Sequence, residues 1–382
     1  MHYQHVCLES FGYTLPEEIV TSEEIERRLE PLYRRLRLPE GRLELMSGIR
    51  ERRFWPRGML PSEKSVASGE HAIRAAGLDR RHIGALIHGS VCRDHLEPAT
   101  ACRVHYALGL PPECVIYDVS NACLGLMNGI LQAANMIELA QIRAALVVGT
   151  ESSRQLVENT IDTLNRDTTL TRSQIKFAVA SLTIGSGSCA VLLTDRELST
   201  TGNRLIAAAV RARTQFHQLC HSGQDEAVGS GMHPLMDTDA EKLLEEGVAT
   251  GVETFGDFLR DTTWDVDEIH ATICHQVGSA HRKRMNESLG LDPDRDFNTF
   301  PWLGNTGSVA LPVTMAIGLE RGRVRPGDNV AMLGIGSGIN CLMLGVRWQM
   351  SLVGSELQLP GRSDRAAEHT NAEGEKQQEI CP

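Results

Sequence analysis

The feature that most restricts the fold of this 382-residue chain is a strand–loop–helix order that occurs twice. The apolar run Ala271–Ile273 matches Leu86–Ile87, and each run ends in a polar loop. Further along, Val330–Leu333 matches Ala145–Val148. Between these runs, each half has a loop that enters a helix rich in small residues, and the matched points lie about 184 residues apart. This constant separation predicts two similar halves that arose by internal duplication.

Within each half, short apolar runs alternate with longer helical patterns, which is typical of a mostly parallel sheet covered by helices. A helix is predicted over Leu124–Leu139. The charged, periodic segment Pro16–Leu38 predicts an exposed amphipathic helix with capping residues near its start. The predicted strands are Ala85–His88, Val115–Val119, Ala144–Val148 and Ala190–Leu193.

The predicted halves set the domain boundaries. We divide the chain into an N-terminal half of residues 1–195, a C-terminal half of residues 196–352 and a tail of residues 353–382. The tail is polar and offers little apolar surface to bury, so we expect it to be disordered. We expect residues 154–184 to link elements and to help form a pocket.

Composition excludes several classes of protein. The formal net charge of −11 argues against a reader of nucleic acid, which usually carries a basic domain. The first residues lack the pattern of a signal peptide, and no apolar run reaches about 18 residues, so we expect no membrane span and a cytoplasmic location. The ten cysteines form no C-x-x-C pair, and most are expected to be buried thiols rather than disulfides.

One cysteine lies where it could act as a nucleophile. Cys123 stands between a predicted strand and a predicted helix, in a turn rich in Gly and Ala. A thiol at a helix N-terminus is close to the positive end of the helix dipole, which favours the thiolate. The unpaired amides there can also bind the oxyanion that forms when a thioester is attacked. On local sequence alone, a buried core cysteine is an equally available interpretation.

A histidine and an asparagine follow in the second half. His275 ends an apolar run, where a histidine is often structural. Asn305 lies in the turn Gly304–Gly307, where Asn and Gly are favoured in any case. Taken together with Cys123, however, they occupy equivalent edges of the two halves, where loops at the carboxyl ends of parallel strands converge. The three residues therefore predict one active site.

These segments resemble the 3-oxoacyl-(acyl-carrier-protein) synthase III group of the thiolase superfamily. The resemblance runs in family order over residues 1–350, and it implies an α/β fold of the thiolase type, with five αβαβα layers built from two duplicated halves, and a homodimer. The segments that carry it are Gly48–Arg53, Asp118–Gly125, His275–Gln276, Gly304–Gly307 and Gly334–Gly338.

The resemblance also implies roles for individual residues. Cys123 would be acylated, and His275 with Asn305 would polarise the carbonyl oxygen of the second substrate. The backbone amide of Cys123, with one from Gly336 to Gly338, would hold the oxyanion of the acyl-enzyme. No metal is implied, and no cofactor beyond the CoA thioester that is the substrate.

A finer resemblance concerns Glu97. The stretch Ser90–Thr100 is similar to that of the OleA group, which condenses two fatty acyl-CoAs head to head. In that group a glutamate from one subunit projects into the pocket of the other and removes the α-proton of the second acyl chain. Such a base is required because an acyl-CoA, unlike a malonyl donor, cannot form its carbanion by losing CO₂. A carboxylate in an apolar channel has a raised pKa, which suits this task. Local sequence also allows a helix-start carboxylate.

The resulting prediction is an acyltransferase that joins two fatty acyl-CoAs by non-decarboxylative Claisen condensation, within lipid biosynthesis. One alternative is a decarboxylating 3-oxoacyl synthase III that uses a malonyl donor. Another is acyl transfer onto an alcohol or amine. A non-catalytic subunit that only donates Glu97 would have no need of Cys123, His275 and Asn305.

Several points stay open. His217, Cys220 and His221 lack the second pair of ligands that a metal site usually needs, so no metal is predicted. Residues 30–47 contain no tryptophan, which malonyl-using synthases have there to hold the CoA adenine. Arg50, Arg52 and Arg53 either face a phosphate or carrier protein, or lie on the surface and in internal ion pairs. Acyl-chain length depends on how residues 154–184 and 207–231 pack.

Overall fold

The computed structural model describes residues 1–223 and 236–356, in which strands and helices alternate along the chain. The strands are β1 (Val6–Thr14), β2 (Glu18–Thr21), β3 (Glu51–Phe54), β4 (Ile83–Gly89), β5 (Val115–Val119), β6 (Ala144–Glu151), β7 (Gly187–Asp195), β8 (Arg204–Ala212), β9 (Cys220–Ser222), β10 (Met236–Thr238), β11 (Ala271–Cys274), β12 (Asn329–Gly336), β13 (Asn340–Arg347) and β14 (Val353–Ser355). The helices are α1 (Ser22–Arg28), α2 (Glu30–Leu36), α3 (Arg42–Ser47), α4 (Pro61–Ala76), α5 (Thr100–Leu108), α6 (Gly125–Glu138), α7 (Arg154–Arg166), α8 (Ala240–Thr262), α9 (Ser279–Leu289), α10 (Phe300–Leu303) and α11 (Ala310–Glu320).

The main sheet repeats one topology. Its first half has the order β5-β4-β6-β7-β1, in which β4 is parallel to β5 and β6, and β7 is antiparallel to β6 and β1. The second half has the order β11-β12-β13-β8 with the same directions. A parallel bridge between Thr272 and Asp296 occupies the place of β5. Between β1 and β8 the residues in register are Cys7 and Arg204, and the N-terminal residues before β1 extend this junction through a bridge between His2 and Ala207. The sheet is therefore two half-sheets joined by a short junction.

Helices cover both half-sheets and fill the space between them. α4 and α5 pack on the outer face of the first half-sheet, and α8 and α9 pack on the outer face of the second. α6 and α11 lie between them and share one hydrophobic core with strands from both halves. All residues from Ala310 to Leu319 of α11 are buried, which requires protein on every side of this helix. The predicted five layers are therefore confirmed.

The predicted strands are all present. β5 has the predicted bounds, while β4, β6, β7, β11 and β12 extend the predicted runs by one to a few residues, as is usual for element ends. The predicted boundary at residue 195 coincides with the end of β7. Helix α6 begins one residue after the predicted start.

The prediction of a single exposed helix over Pro16–Leu38 is wrong. This segment forms β2 and the two short helices α1 and α2. Thr21 caps α1 as predicted, accepting a hydrogen bond from the Glu24 amide at 3.1 Å. The helix is interrupted at Leu29, and Pro31, whose nitrogen has no hydrogen to donate, lies in the first turn of α2. Ile25, Leu29 and Leu32 are buried, so one face of the segment belongs to a core cluster.

The tail also begins later than predicted. Val353–Ser355 form β14, which pairs in parallel with Phe11–Tyr13 of β1. The reason is that β1 offers backbone hydrogen-bonding groups there, and Phe11 donates to the Leu352 carbonyl at 3.0 Å. The rest of the predicted tail, including Cys381, lies outside the described residues, as does part of segment 207–231.

The cysteines behave largely as predicted. The nine that are described are all free, and five of them, Cys7, Cys114, Cys189, Cys274 and Cys341, are buried. Among the described helices, none combines the length and the apolar character that crossing a membrane demands.

A buried arginine ties the N-terminal segment to the centre of the molecule. Arg52 on β3 is fully buried, and burial lowers its pKa to about 10. Its guanidinium donates to the Ser22 hydroxyl at 3.1 Å, to the Val20 carbonyl at 3.3 Å and to the Leu182 carbonyl at 3.2 Å. Because Leu182 precedes a segment that pairs with Asn305, this arginine supports the candidate site from behind.

We predict that Arg52→Ala lowers the free energy of unfolding by about 3 kcal/mol, because the substitution leaves a cavity and unpaired buried carbonyl groups. Arg50→Ala is the matched control, since this neighbouring arginine is exposed and should change stability by less than about 0.5 kcal/mol. Urea unfolding followed by circular dichroism measures both. Equal effects of the two substitutions would show that the buried contacts of Arg52 contribute nothing.

Candidate active site

The turn that carries Cys123 joins β5 to α6. The strand ends at Val119 and the helix begins at Gly125, so Cys123 stands two residues before the helix. Ala122 has a φ of 44°, in the left-handed region that residues other than glycine seldom adopt. Such backbone strain is common where a side chain must be presented from a sharp turn, and here it presents the thiol.

The thiol of Cys123 is held in its protonated form. Burial raises its pKa to about 12, and electrostatic interactions with Cys220 and Glu151 act in the same direction. The backbone amides of Cys123 and Ser337 bond to the sulfur and lower its pKa, but they do not compensate for burial. The expected preference for the thiolate is therefore not met, because burial raises the pKa of the thiol more than the two amides lower it.

The amide of Ser337 lies between the two glycines that were expected to supply an oxyanion donor, Gly336 and Gly338. The Ser337 amide, together with the amide of Cys123, lowers the pKa of the Cys123 thiol, and the prediction that an amide from Gly336 to Gly338 holds the oxyanion stays a prediction. Gly336 packs against Leu124, where an added Cβ would lie 3.1 Å from the leucine Cγ. The amides of Cys123 and Ser337 can therefore both donate hydrogen bonds to one atom at the position of the sulfur.

Asparagine side chains fix this arrangement. Asn121 Nδ2 donates to Asn340 Oδ1 at 2.9 Å and to Asn128 Oδ1 at 2.6 Å. Asn340 Nδ2 in turn donates to the Ser337 carbonyl at 2.8 Å. The nucleophile turn and the turn after β12 are thus tied through a chain of amides.

His275 follows β11 and is buried. Its amide donates to the Leu333 carbonyl of β12 at 3.1 Å, which keeps it in line with the sheet. Burial, and then the charge of His281, lower its pKa to about 3. The two rings stand nearly perpendicular, with centroids 6.4 Å apart. At neutral pH His275 is therefore an uncharged imidazole that can donate one N–H.

Gln276 anchors the histidine loop. Its Nε2 donates to the Cys274 carbonyl at 2.7 Å. Its Oε1 accepts from the amides of Thr299 at 2.9 Å and Phe300 at 3.2 Å, at the start of α10. Because α10 leads directly to Asn305, the loops of His275 and Asn305 are connected.

Asn305 is oriented by its own turn. Its amide donates to the Thr183 carbonyl at 3.0 Å, and its Oδ1 accepts from the Gly307 amide at 3.0 Å, which leaves Nδ2 to donate elsewhere. Gly304 has φ 68° and ψ −168°, a conformation available essentially only to glycine. A Cβ at this position would lie 2.7 Å from the Thr183 carbonyl oxygen, so the turn requires glycine.

The three loops meet at one end of the half-sheets. The turn Gly307–Val309 packs on α6, the helix that Cys123 precedes. The strand beside His275, β12, ends in the turn whose Ser337 amide reaches Cys123. The segments that carry Cys123, His275 and Asn305 are therefore connected through packed and paired elements, and the carboxylate of Glu151 is close enough to raise the pKa of the nucleophile.

Glu97 is the fourth predicted site residue. It is exposed on the loop between β4 and α5, and within the described part of the chain its carboxylate has no hydrogen bond or ion pair. Asp118 of β5 anchors the end of this loop by accepting from the amides of Thr100 at 2.7 Å and Ala101 at 2.9 Å. A single protomer thus presents Glu97 on its surface.

Glu151 is a residue of this region that the sequence analysis did not identify. It ends β6 and is 6% exposed, and its carboxylate accepts from the Ser308 hydroxyl at 2.6 Å and from the Val91 amide at 2.9 Å. The sequence feature that could have identified Glu151 is an acidic residue at the end of a buried strand, at the sheet edge where Cys123 lies.

The remaining predictions concern metals and arginines. Among residues 1–223 and 236–356, no group of three or more His, Cys, Asp or Glu side chains could hold a metal ion. Cys220 Sγ instead lies 3.3 Å from the Thr238 hydroxyl. Arg53 donates to the Pro16 carbonyl at 2.8 Å, and Arg52 is fully buried, so the phosphate-facing interpretation is wrong for Arg52.

We predict that alkylation of Cys123 by iodoacetamide accelerates about tenfold per pH unit up to pH 10, because only the thiolate reacts. A cysteine with an ordinary pKa would instead level off near pH 8.5 to 9. Peptide mass spectrometry follows the Cys123 peptide, and the other cysteine peptides of the same digest control for reagent stability. A plateau for Cys123 below pH 9 would contradict the protonated thiol with a raised pKa.

Comparisons with known proteins cover both halves. A family model for the thiolase N-terminal domain matches residues 61–197, and one for the 3-oxoacyl-acyl-carrier-protein (ACP) synthase III C terminal matches residues 259–348. An acyl-CoA:acyl-CoA alkyltransferase of Shewanella oneidensis is 44% identical over 351 residues, which is 91% of this chain and 100% of that protein. One of Xanthomonas campestris is 33% identical with the same coverage of 91% and 100%. A beta-ketoacyl-ACP synthase III of Symbiobacterium thermophilum is 25% identical, covering 91% and 99%.

Solved structures agree with these relatives. A cysteine-to-serine variant of Xanthomonas campestris OleA with bound lauric acid and lauroyl-CoA has a TM-score of 0.85 and 33% identity, covering 91% of this chain and 100% of that one. A glutamate-to-alanine variant of the same protein has the same TM-score of 0.85 and covers 91% and 99%. The substituted glutamate precedes the substituted cysteine by the same number of residues as Glu97 precedes Cys123.

Proposed function

This chain belongs to the acyl-CoA:acyl-CoA alkyltransferases of the thiolase superfamily, and we propose that Cys123, His275, Asn305 and Glu97 carry out its reaction. The enzyme joins two fatty acyl-CoAs head to head by a Claisen condensation without loss of CO₂. The observation that carries the assignment of the base is the shared glutamate–cysteine spacing, together with the exposed carboxylate of Glu97, which has no partner among the described residues. A cytoplasmic location remains a prediction.

The first half-reaction is acylation of Cys123. The sulfur attacks the thioester carbonyl, the bond between that carbon and the CoA sulfur breaks, and CoA leaves as its thiol. Because the resting thiol is protonated, its proton must leave the sulfur during the attack and reach the CoA sulfur as the CoA thiol departs. His275, whose pKa is lowered to about 3, is a poor acceptor for this proton and acts here as a neutral hydrogen-bond donor. The amides of Cys123 and Ser337 would stabilise the oxyanion formed in this step.

The second half-reaction forms the carbon–carbon bond. Glu97 removes an α-proton from the second acyl-CoA, and the N–H groups of His275 and Asn305 stabilise the enolate oxygen. The α-carbon attacks the acyl group on Cys123, the carbon–sulfur bond to the enzyme breaks, and a 2-alkyl-3-oxoacyl-CoA is released. The Cys123 thiolate regains a proton and the cycle closes.

We further propose that Glu97 acts across a homodimer. β5 is the outermost strand of its half-sheet, and in the described chain its outer edge has no pairing strand. Its residues are half-buried to exposed, with Val115 45% exposed, and Leu96 beside Glu97 is 47% exposed. An open edge strand is a template for pairing with a second chain. Since Asp118 binds the end of the Glu97 loop to β5, pairing through this edge would carry Glu97 to the partner's site.

A decarboxylating synthase is the second candidate function. Relatives named beta-ketoacyl-ACP synthase III reach 24 to 26% identity, below the 44% and 33% of the alkyltransferases. Product analysis with a single long-chain acyl-CoA and no malonyl donor separates the two functions. A ketone or 3-oxoacid product requires the non-decarboxylative route.

We predict that Glu97→Gln forms the acyl-Cys123 adduct at nearly the normal rate but condenses at least about 100-fold more slowly, because an amide cannot remove the α-proton. Intact-protein mass spectrometry measures the adduct, and product extraction measures condensation. Glu113→Gln is a matched control on a nearby exposed acid. Normal condensation by the Glu97 variant would refute the assignment of the base.

We also predict that mixing Glu97→Gln with Cys123→Ala restores condensation. Neither variant condenses alone, yet a mixed dimer holds one complete site, made of Cys123 from one chain and Glu97 from the other. Exchange of subunits under mild denaturation, followed by dilution, should recover up to about a quarter of normal activity. If each site used its own Glu97, the mixture would stay inactive.

A further inference from the structure

The carboxylate of Glu151 lies where the two substrate-binding loops meet. Its Oε1 accepts from the Ser308 hydroxyl at 2.6 Å, from the Ser308 amide at 3.4 Å and from the Val91 amide at 2.9 Å. Its Oε2 accepts from the Cys92 amide at 3.3 Å. Gly307 lies against the side chain, where an added Cβ would come within 3.2 Å of the carboxyl carbon.

This carboxylate is buried without a cation. Glu151 is 6% exposed, and no lysine, arginine or histidine of the described chain forms an ion pair with it. Every contact comes from neutral donors on segments that follow β4 and precede α11. A lone buried carboxylate costs free energy of folding unless hydrogen bonds satisfy it, so its presence at this point calls for a reason beyond packing.

The segments that Glu151 joins carry the two groups that act on the second substrate. Val91 and Cys92 begin the loop that leads to Glu97. Ser308 and Gly307 belong to the turn whose other end carries Asn305, and the Gly307 amide is the one that orients the Asn305 side chain. Glu151 thus contacts both the root of the Glu97 loop and the turn that carries Asn305. In the proposed dimer, the glutamate that faces Asn305 comes from the partner subunit.

We propose that Glu151 is a positioning residue for condensation, which sets the Asn305 turn and the root of the Glu97 loop relative to each other. This inference rests on the proposed function. Acylation of Cys123 does not use Asn305 or Glu97 and therefore tolerates the loss of this link. Condensation uses both groups: the Asn305 turn that Glu151 holds serves its own site, and the Glu97 loop that it holds serves the partner subunit's site. A displacement of either group lowers condensation, because the substrate must meet a correctly placed base and enolate donor at once.

The test is Glu151→Gln, which keeps the shape but removes the charge and places an NH₂ group opposite the amide donors. We expect acylation within about threefold of normal, and condensation lower by about tenfold to a hundredfold, since hydrogen bonds to a charged group are involved. Glu151→Asp keeps the charge and should recover part of the condensation rate. Acylation is read from the Cys123 adduct and condensation from the extracted product.

A second readout separates positioning from a structural role. The charge of Glu151 is one of the causes that raise the pKa of Cys123, along with burial and Cys220. Glu151→Gln should therefore shift the pH dependence of Cys123 alkylation to lower pH, and Glu151→Asp should not. A Glu151→Gln enzyme that condenses normally with an unshifted profile would overturn the proposal.

Ser308→Ala keeps the proposal testable if the charge variants do not fold. It removes the hydroxyl that lies 2.6 Å from Glu151 Oε1 and 3.0 Å from the Gly89 carbonyl oxygen, and it should lower condensation several-fold while acylation stays normal. Normal condensation by this variant would also overturn the proposal. Failure of the proposed function is distinguishable, because it would show as normal condensation by Glu97→Gln, whereas failure of this inference leaves that variant inactive.

Discussion

The structure depends on two helices, α6 and α11, that are buried in one hydrophobic core between the half-sheets. Each is held from both sides, so the residue positions at their N-terminal ends are fixed by packing rather than by loops alone. The close approach of α6 is possible because Gly89 of β4 has no side chain, since a Cβ there would lie 2.6 Å from the Leu126 Cα. The turns that enter these two helices carry Cys123 and Asn305. The duplication therefore positions the site, because it gives each half one such helix and brings both helix ends to the same edge.

The burial that fixes these turns also decides the charge of the site. Desolvation raises the pKa of Cys123 to about 12 and lowers the pKa of His275 to about 3, so both resting groups are neutral. Their surroundings are amides of the backbone and of asparagine side chains, which are already oriented by hydrogen bonds to one another. Such preorganised dipoles stabilise charge that develops during a reaction better than charge that is present beforehand. A transient oxyanion and a transient enolate are the charges that a thioester condensation creates.

The sequence was sufficient for the features that follow from periodicity and order. The strands around Leu86, Val115 and Val330 are short apolar runs with clear ends, and their repetition at a constant separation predicts the doubled topology. The sequence was insufficient where tertiary contacts compete with local preference. The helix N-terminus at Cys123 is a local feature, whereas the burial that raises the pKa of its thiol depends on residues far along the chain. Glu151 was missed for the same reason. Its importance comes from its hydrogen bonds with Ser308 and Val91, and only the folded chain brings these residues together.

The separation of the base from the nucleophile follows from the same physics. A carboxylate placed permanently beside Cys123 would add to the effect of Glu151, raise the thiol pKa further and oppose acylation. An exposed carboxylate on a surface loop, such as Glu97, does not raise the pKa of the thiol in the isolated chain. It stays hydrated until the dimer forms. In a dimer formed through β5, the base would enter a site whose nucleophile and enolate donors are already fixed by the other chain. Dimerisation would then bring the base to a site whose nucleophile and histidine are both neutral. Glu151 contacts the root of the Glu97 loop and the Asn305 turn, so it would relate the base that a protomer donates to the partner subunit to the site that the protomer itself forms.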